Sequence, residues 1–396
     1  MRGMQPETIP VVVQKYGGSS VADVERLRRV AERVVETTKS GRRVCVVVSA
    51  MGNTTNDLLG LAKQVSPSPS RRELDMLLSC GERISMALLS MAIFDLGHEA
   101  ISFTGSQSGI ITDDRHSGAR ILEVRPHRIQ EELDRGKIVI VAGFQGVSAK
   151  REITTLGRGG SDTTAVALAA ALGAEHCEIC SDVDGVYSGD PRVVSAPRRL
   201  HEISYDEMQE LADHGAKVLN PQAVEFARKA GIVIHARATA QAPGTAGGTR
   251  VVATATGAIG VTGMRNVTRL RFRGAAEPLL DELGAGGVAM KRFVAADGVA
   301  TAVFSRDDLP DWAMLRRRLE PRWESCEEEL AAATVVGEGT GASPVCLRRA
   351  LAVAQRMDIA LLGHDSSPLR LTLYVAPTDL DPLVRGLHAE FVTRGA

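Results

Sequence analysis

Apolar runs and helical repeats alternate along the chain from Val11 to Ala255. The apolar residues between Val21 and Thr38 recur at helical spacing, which predicts an amphipathic helix with Ser20 as its N-cap. The predicted strands are the apolar runs Val11–Gln14, Arg43–Ser49, Ala100–Thr104, Ile138–Gly143, His176–Ser181 and Ile232–Arg237. This alternation is typical of a mainly parallel sheet with helices on both faces, so the predicted fold class is α/β.

The pattern changes after Ala240–Gly248, a segment rich in glycine, proline and small residues. We therefore predict two domains, residues 1–255 and residues 256–396. Predicted strands in the second are Arg269–Arg273, Val299–Ser305, Ala332–Val336, Asp358–Leu362 and Leu369–Val375. Predicted helices are Ala276–Leu283, Asp311–Leu319, Pro344–Met357 and Leu380–Phe391. This order indicates a small α+β module, or two interleaved ones, with antiparallel sheets.

Composition narrows the classes of function. Of 396 residues, 44% are hydrophobic and 24% charged, and the net charge is -1, so we expect no nucleic-acid partner. No uninterrupted apolar run reaches the roughly 20 residues that span a bilayer, and no secretory signal is expected. The six cysteines are scattered, which suits a reducing cytoplasm. Cys177 and Cys180 fall in a predicted strand, where residues three apart point to opposite faces, so we expect no metal site there.

Two polar clusters each follow a predicted strand. Lys15–Ser20 (KYGGSS) places a lysine and two glycines before a helix, where free backbone N–H groups favour an anion. A glycine turn beside a surface lysine is the alternative. Ser49–Asn56 (SAMGNTTN) offers hydroxyls and amides at the carboxyl end of a strand, where open parallel sheets place ligands. A polar loop that caps the next helix would look the same.

A third cluster, Thr154–Thr164 (TTLGRGGSDTT), lies just before the predicted helix Thr163–Leu172. Its arginine can bind a carboxylate through two hydrogen bonds, and its glycines permit close approach. A flexible loop is the alternative.

The fourth cluster, Ser181–Arg192 (SDVDGVYSGDPR), again follows a strand and carries turn signals. It lacks the glutamate that an EF-hand loop requires, so calcium is not expected. A nucleotide could rest on this loop, and a plain surface turn is equally compatible. Lys217 could contact a phosphate or be simply solvated.

Together these segments resemble the successive signatures of aspartate kinases, in the amino acid kinase superfamily. The motifs, in order, are KYGGSSV, VVVSAMGNTTNDLL, ELDMLLSCGERIS, SFTGSQSGI, AGFQGV, TTLGRGGSDTTAVALAAALGA, CEICSDVDGVYSGDPR and GAKVLNPQAV. The resemblance implies a three-layer α/β/α sandwich that binds ATP and L-aspartate at the carboxyl edge of its sheet.

The resemblance also implies roles for individual residues. Lys15 would stabilise the transferred phosphoryl group, and Asp162 would organise Lys15. The residues expected to hold aspartate are Ser49, Thr55, Glu82, Arg158, Gly160 and Ser161. Those expected around the nucleotide are Lys15, Tyr16, Gly17, Gly18, Ser181, Asp182, Val186, Tyr187, Asp190, Arg192 and Lys217. Arg158 suits the α-carboxylate of aspartate, and Glu82 suits its α-ammonium. ATP with Mg²⁺ is the expected cofactor pair, with the ion held mostly by the phosphates and no dedicated protein metal site.

Aspartate kinases usually end in two ACT-type regulatory modules, and the C-terminal region departs from that pattern. The usual helix start is replaced by Arg273–Pro278 (RGAAEP), and the strand that usually carries an asparagine motif reads Gly287–Phe293 (GVAMKRF). We therefore expect a divergent ACT-like region, weak or absent control by lysine or threonine, and a homo-oligomer. Two alternatives remain, a kinase of another amino-acid carboxylate and a non-catalytic regulatory homologue.

Overall fold

The structure, a computed structural model, describes residues 9–157, 159–245, 247–255, 257, 259–309 and 312–393. Its contacts divide the chain into two compact units. The first contains the residues up to 186, residues 201–205 and residues 218–254. The second contains residues 187–200, residues 206–217 and the residues from 255 onward. The predicted boundary between residues 255 and 256 rests on composition and stays a prediction.

The strands β1 to β12 are Val11–Tyr16, Arg43–Val48, Ala100–Phe103, Ile110–Thr112, Ile121–Val124, Ile138–Ala142, Gln145–Ser148, Ile153–Thr155, His176–Ser181, Glu202–Ser204, Ile234–Ala238 and Thr249–Val252. The helices α1 to α8 are Val24–Lys39, Thr54–Val65, Arg71–Leu78, Cys80–Asp95, His127–Asp134, Gly160–Ala171, Tyr205–Asp213 and Pro221–Ala230. A 3-10 turn, Gly18–Val21, follows β1.

The first unit is built on an eight-stranded sheet with the order β10-β12-β11-β9-β1-β2-β6-β3. The six strands from β11 to β3 run parallel, and β12 pairs antiparallel with β11. Helices α1 and α4 pack against one face, and α5 and α6 pack against the other. This three-layer α/β/α arrangement confirms the predicted fold class. A smaller sheet with the order β5-β4-β7-β8 belongs to the same unit.

Parallel strands buried on both faces require continuous apolar sequence, which is why β2 (RVCVVV) and β6 (IVIVA) were predictable. The start of α1 was predicted wrongly. Its N-cap is Asp23, whose carboxylate accepts a hydrogen bond from the Arg26 N–H at 2.8 Å. The Ser20 hydroxyl is instead hydrogen-bonded to the Thr239 hydroxyl at 2.6 Å.

One stretch, Arg71–Asp95, is long and apolar enough to cross a membrane when judged by length and composition only. It comprises α3 and α4. Leu89 and Ile93 of α4 are fully buried in the core between the helices and the sheet. The carboxylates of Asp75 and Glu82 are buried in the same stretch. We therefore interpret it as a core segment of the first unit.

In the second unit the strands β13 to β18 are Gly260–Arg273, Met290–Ala296, Val299–Ser305, Trp323–Val336, Gly363–Ser367 and Arg370–Val375. The helices α9 to α12 are Glu277–Ala285, Trp312–Leu319, Pro344–Arg356 and Leu380–His388. The strands form one antiparallel sheet with the order β14-β15-β13-β16-β18-β17. Helices α9 and α10 contribute to one hydrophobic cluster and α11 and α12 to another. The two clusters share the long strands β13 and β16, as expected for interleaved modules.

The predicted strand Asp358–Leu362 is wrong, because the strand in this part of the chain is β17, Gly363–Ser367. Asp358 has a φ of 54°, and the Ile359 N–H donates to the Ala354 carbonyl at 3.0 Å. Asp358 and Ile359 therefore close the end of α11 through a left-handed residue, and the strand begins only at Gly363.

Candidate active site

An ion pair links the carboxyl end of β1 to the start of α6. The Lys15 ammonium lies 2.6 Å from a carboxylate oxygen of Asp162, and their side chains are only 12% and 10% exposed. Lys15 precedes the last residue of β1, and Asp162 lies in the first turn of α6. Because the positive end of the α6 helix dipole lies beside this pair, an anion is favoured there.

The glycine loop after β1 is hydrogen-bonded to the two neighbouring strand ends. The Gly17 N–H donates to the Cys180 carbonyl at 3.3 Å, and the Gly52 N–H donates to the Gly18 carbonyl at 3.1 Å. A Cβ on Gly18 would lie 2.9 Å from the Ala50 carbonyl oxygen. A side chain at residue 18 would therefore push the first two predicted clusters apart, which explains the glycine.

Glu82 lies in the first turn of α4 and is 3% exposed. One carboxylate oxygen accepts a hydrogen bond from the Ala50 N–H at 3.2 Å. The other is buried and has no hydrogen-bond partner among the described residues. Burial raises the pKa of Glu82 to about 7, and the bonds from backbone N–H groups oppose that rise. A buried acceptor without a partner is costly, so this side chain suits a ligand that brings a positive charge.

The glycine-rich loop before α6 approaches the same strand ends. Gly159 has a φ of 71°, and a Cβ there would lie 2.2 Å from the Asn220 side chain, so glycine is needed. A Cβ on Gly143, just after β6, would lie 2.7 Å from the Ser161 hydroxyl oxygen. Gly160 and Ser161 are buried in the first turn of α6. Arg158 lies outside the described residues.

Two of the residues expected to bind substrate, Ser49 and Thr55, lie close to Ala50 in the chain. Ser49 follows β2 and is half-buried, and its carbonyl accepts a hydrogen bond from the Ser85 hydroxyl at 2.7 Å. Thr55 is half-buried in the first turn of α2. The structure therefore brings the lysine loop, the Ser49 loop, Glu82 and the start of α6 to one edge of the sheet.

The predicted nucleotide loop is divided between the two units. Ser181 and Val186 belong to the first unit, as does the exposed Asp182. The Ser181 carbonyl accepts a hydrogen bond from the Thr239 N–H at 2.8 Å, and the Val186 N–H donates to the Thr249 hydroxyl at 2.7 Å. These bonds fix both ends of the part of the loop in the first unit.

Tyr187, Asp190, Arg192 and Lys217 belong to the second unit. The Arg192 guanidinium donates to both oxygens of Asp190, which lowers the pKa of that carboxyl, and Lys217 adds to the effect. The neighbouring Ser188 hydroxyl lies 2.9 Å from Nε2 of His388, at the end of α12. The nucleotide role of these four residues stays a prediction.

Sequence reasoning missed a buried polar network behind β1, on the face covered by α1. The Glu178 carboxylate accepts hydrogen bonds from Gln14 at 2.8 Å, Arg237 at 2.7 Å and Arg33 at 3.3 Å. Burial opposes ionisation of Glu178, but contact with His176 and the two arginine charges outweigh it and hold its pKa far below the usual range. The signal was available, because Gln14 follows three valines in β1 and Glu178 lies between Cys177 and Ile179 in β9.

Among the described residues, His176, Glu178 and His235 form a group that could hold a metal ion. Glu178 is already bound by two guanidinium groups, so a divalent ion there would face two positive charges. The imidazole rings of the two histidines are stacked with centroids 4.3 Å apart. We therefore interpret the group as a structural network of the sheet.

The comparisons with known proteins agree with this geometry. Residues 10–237 match the model of the amino acid kinase family. The chain is 42% identical to an aspartokinase of Corynebacterium efficiens over 410 aligned residues, which cover 97% of each protein. It is 61% identical to an aspartokinase of Mycolicibacterium smegmatis over 237 residues, which cover 59% of this chain and 56% of that protein.

A structural neighbour is E. coli aspartokinase III, solved in complex with aspartate and ADP. Its TM-score is 0.84 at 25% identity, and the match covers 96% of this chain and 99% of that one. The predicted resemblance is confirmed by a family model over residues 10–237, by a relative that aligns along nearly the whole chain and by the fold. The chain belongs to the amino acid kinase family.

Proposed function

We propose that this protein transfers the γ-phosphoryl group of ATP to the side-chain carboxylate of L-aspartate, giving 4-phospho-L-aspartate and ADP. The relatives named above support the reaction class. The match with the mycobacterial aspartokinase spans 56% of that protein, whereas the match with the corynebacterial one spans 97%.

The observation that carries the choice of a free amino acid as substrate is the buried Glu82 carboxylate, which has one oxygen without a partner among the described residues. A free α-ammonium would satisfy that oxygen and hold Glu82 ionised. An acylated amine carries no charge, so it would leave the negative charge of the buried carboxylate without a counter-charge. Glu82 therefore favours a free amino acid over an N-acetylated one. Arg158 would bind the α-carboxylate.

Lys15 and Asp162 would serve the phosphoryl transfer. The Lys15 ammonium would neutralise charge on the γ-phosphoryl oxygens, and its 2.6 Å contact with Asp162 would hold it at the carboxyl end of β1. A lysine, two glycines and the N-terminus of α6 form surroundings that fit an anion. ATP would enter as its Mg²⁺ complex, in which the ion is held mainly by phosphate oxygens and neutralises their charge.

The aspartate side-chain carboxylate would attack the γ-phosphorus in line with the bond to the β-phosphate oxygen. A new O–P bond forms, the old one breaks, and ADP leaves with the electron pair of that bond. A carboxylate is already ionised at neutral pH, so no general base is required. The task of the site is to hold two anions together and to stabilise the spread of charge.

Further proposals concern the setting of the reaction. The six free thiols support a cytoplasmic enzyme. We propose a homo-oligomer, with no nucleic-acid or membrane partner. Lys15, Arg158, Asp162 and Lys217 are all present in the sequence, which argues against a non-catalytic homologue.

The test is an assay of the purified protein with ATP, Mg²⁺ and hydroxylamine, which converts an acyl phosphate to a hydroxamate. The acceptors to compare are L-aspartate, L-glutamate and N-acetyl-L-glutamate. We expect hydroxamate with L-aspartate and much less with the others. Faster reaction with N-acetyl-L-glutamate would contradict the assignment of Glu82, and no hydroxamate with any acceptor would contradict the kinase function.

A further inference from the structure

Asp75 of α3 is a fully buried carboxylate that was not among the predicted site residues. It accepts hydrogen bonds from Nδ1 of His116 at 2.8 Å and from the Ser117 N–H at 3.0 Å. It also accepts them from the Thr155 hydroxyl at 2.7 Å and the Thr155 N–H at 3.2 Å. One side chain thus joins α3, the turn at Ser117 and the end of β8.

The segments that Asp75 joins are adjacent in the chain to the candidate substrate site. Thr155 is the last residue of β8, and the glycine-rich loop to Gly160 and Ser161 follows it. In the other direction, the Ser79 N–H donates to the Asp75 carbonyl at 3.1 Å, and α4, which carries Glu82, begins at the next residue. Asp75 therefore spans the helix pair with Glu82 and the loop that begins α6.

Asp75 itself has no capacity left for a ligand. Its two oxygens each accept three hydrogen bonds from protein donors within 3.3 Å. A carboxylate has only about four lone-pair sites, so both oxygens are saturated. The network also fixes Ser117 at a φ of 62°, a conformation that persists in a non-glycine residue only when its surroundings determine it.

We propose that Asp75 is a positioning residue for aspartate specificity. It sets the separation between Glu82, which takes the α-ammonium, and the glycine-rich loop, which takes the α-carboxylate. This inference rests on the proposed function. The nucleotide residues Lys15 and Gly17 receive no hydrogen bond from this network among the described residues, so we expect the larger effect on binding of the amino acid.

The experiment compares Asp75→Asn, Thr155→Val and the double variant, with KM for aspartate, KM for ATP and kcat measured for each. Because misplacement of a binding group by about 1 Å can cost up to ~100-fold, we expect Asp75→Asn to raise KM for aspartate roughly 10- to 100-fold. KM for ATP should change by less than about twofold. KM for aspartate in the double variant should not exceed that of Asp75→Asn alone, because both substitutions remove the same connection between Asp75 and Thr155.

Asp134→Asn is the matched control, since Asp134 is an exposed residue at the end of α5 whose carboxylate pairs with Arg43 and Gln130, away from the Asp75 network. It should leave both KM values unchanged. If Asp75→Asn does not fold, Thr155→Val, which keeps the buried carboxylate, carries the test through the same KM comparison.

Equal rises in both KM values, unchanged kinetics in the folded variants, or effects of the two substitutions that multiply would each overturn the positioning role. Failure of the wild-type protein to phosphorylate aspartate would instead overturn the proposed function. The two failures are therefore distinguishable.

Discussion

Replacing Glu82 with glutamine should stabilise the protein without ligand while weakening its binding of aspartate. Burial raises the pKa of this carboxyl from 4.5 to about 7 in the folded protein. Between these pH values the folded state keeps a proton that the unfolded state has lost, so stability falls as pH rises through this window. At about 1.4 kcal/mol per pKa unit, the full loss is about 3 kcal/mol above pH 7.

Glutamine cannot ionise, so Glu82→Gln should remove this pH dependence. Urea unfolding at pH 5 and pH 8, without aspartate, measures it. Between pH 5 and pH 8 the free energy of unfolding of the wild-type protein should fall by about 2.5 kcal/mol more than that of the variant, because pH 5 already lies above the unfolded pKa. Glu36→Gln, on an exposed position of α1, is the control and should follow the wild type. Parallel pH profiles for wild type and Glu82→Gln would refute the burial argument.

The same substitution should act in the opposite direction on substrate binding. An ammonium binds the ionised carboxylate, so wild-type KM for aspartate should fall as pH rises to about 7 and then level off. Loss of a buried charge partner costs roughly 2–5 kcal/mol, so KM in Glu82→Gln should rise at least about 30-fold. Its KM should also lose the pH dependence below 7. A normal KM in the variant would remove Glu82 from the ammonium site.

Three further predictions follow from the site and the C-terminal region. Asp162→Asn should lower kcat by roughly 100-fold through misplacement of Lys15, and its KM for aspartate should change little; a normal kcat would show that Lys15 needs no partner. Arg158→Ala should weaken binding of aspartate and spare that of a non-hydrolysable ATP analogue in isothermal titration; the reverse would mean that the two subsites are exchanged. Lysine and threonine, singly and together at subsaturating aspartate, should inhibit weakly or not at all, because the N-cap of α9 is Ala276, which makes no side-chain cap bond, and β14 carries no asparagine. Clear inhibition at millimolar concentration would contradict the expected loss of control.

The fold of the first unit was predictable because burial on both faces leaves a plain sequence signal. The run His176–Ser181 was predicted as a strand and has those bounds in the structure. Helix starts were harder to predict. Ser20 and Asp23 are both good N-caps, and only the tertiary contact of Ser20 with Thr239 leaves Asp23 as the cap. Asp358 was misread because a positive φ in a non-glycine residue carries little local signal.

The candidate site was predictable where short motifs carry their own chemistry. The Lys15–Asp162 pair joins two motifs far apart in the chain, and the family resemblance supplied that link. Asp75 could not be identified, because its partners His116, Ser117 and Thr155 come from other elements that meet it only after folding. Asp75 lies in the motif ELDMLLSCGERIS, but a charged residue is usually solvated, so the sequence alone gave no sign that its carboxylate is buried.

The most direct test of the account is the turnover of Lys15→Met with ATP and L-aspartate, measured as aspartyl hydroxamate. Loss of one electrostatic group of this kind typically costs about 100- to 1000-fold in kcat, so we expect a fall of that size with KM for aspartate nearly unchanged. The double variant Lys15→Met/Asp162→Asn controls for the carboxylate left unpaired and should be equally slow. Near-normal turnover in folded Lys15→Met would contradict the central claim that the end of β1 and the start of α6 form the phosphoryl-transfer site.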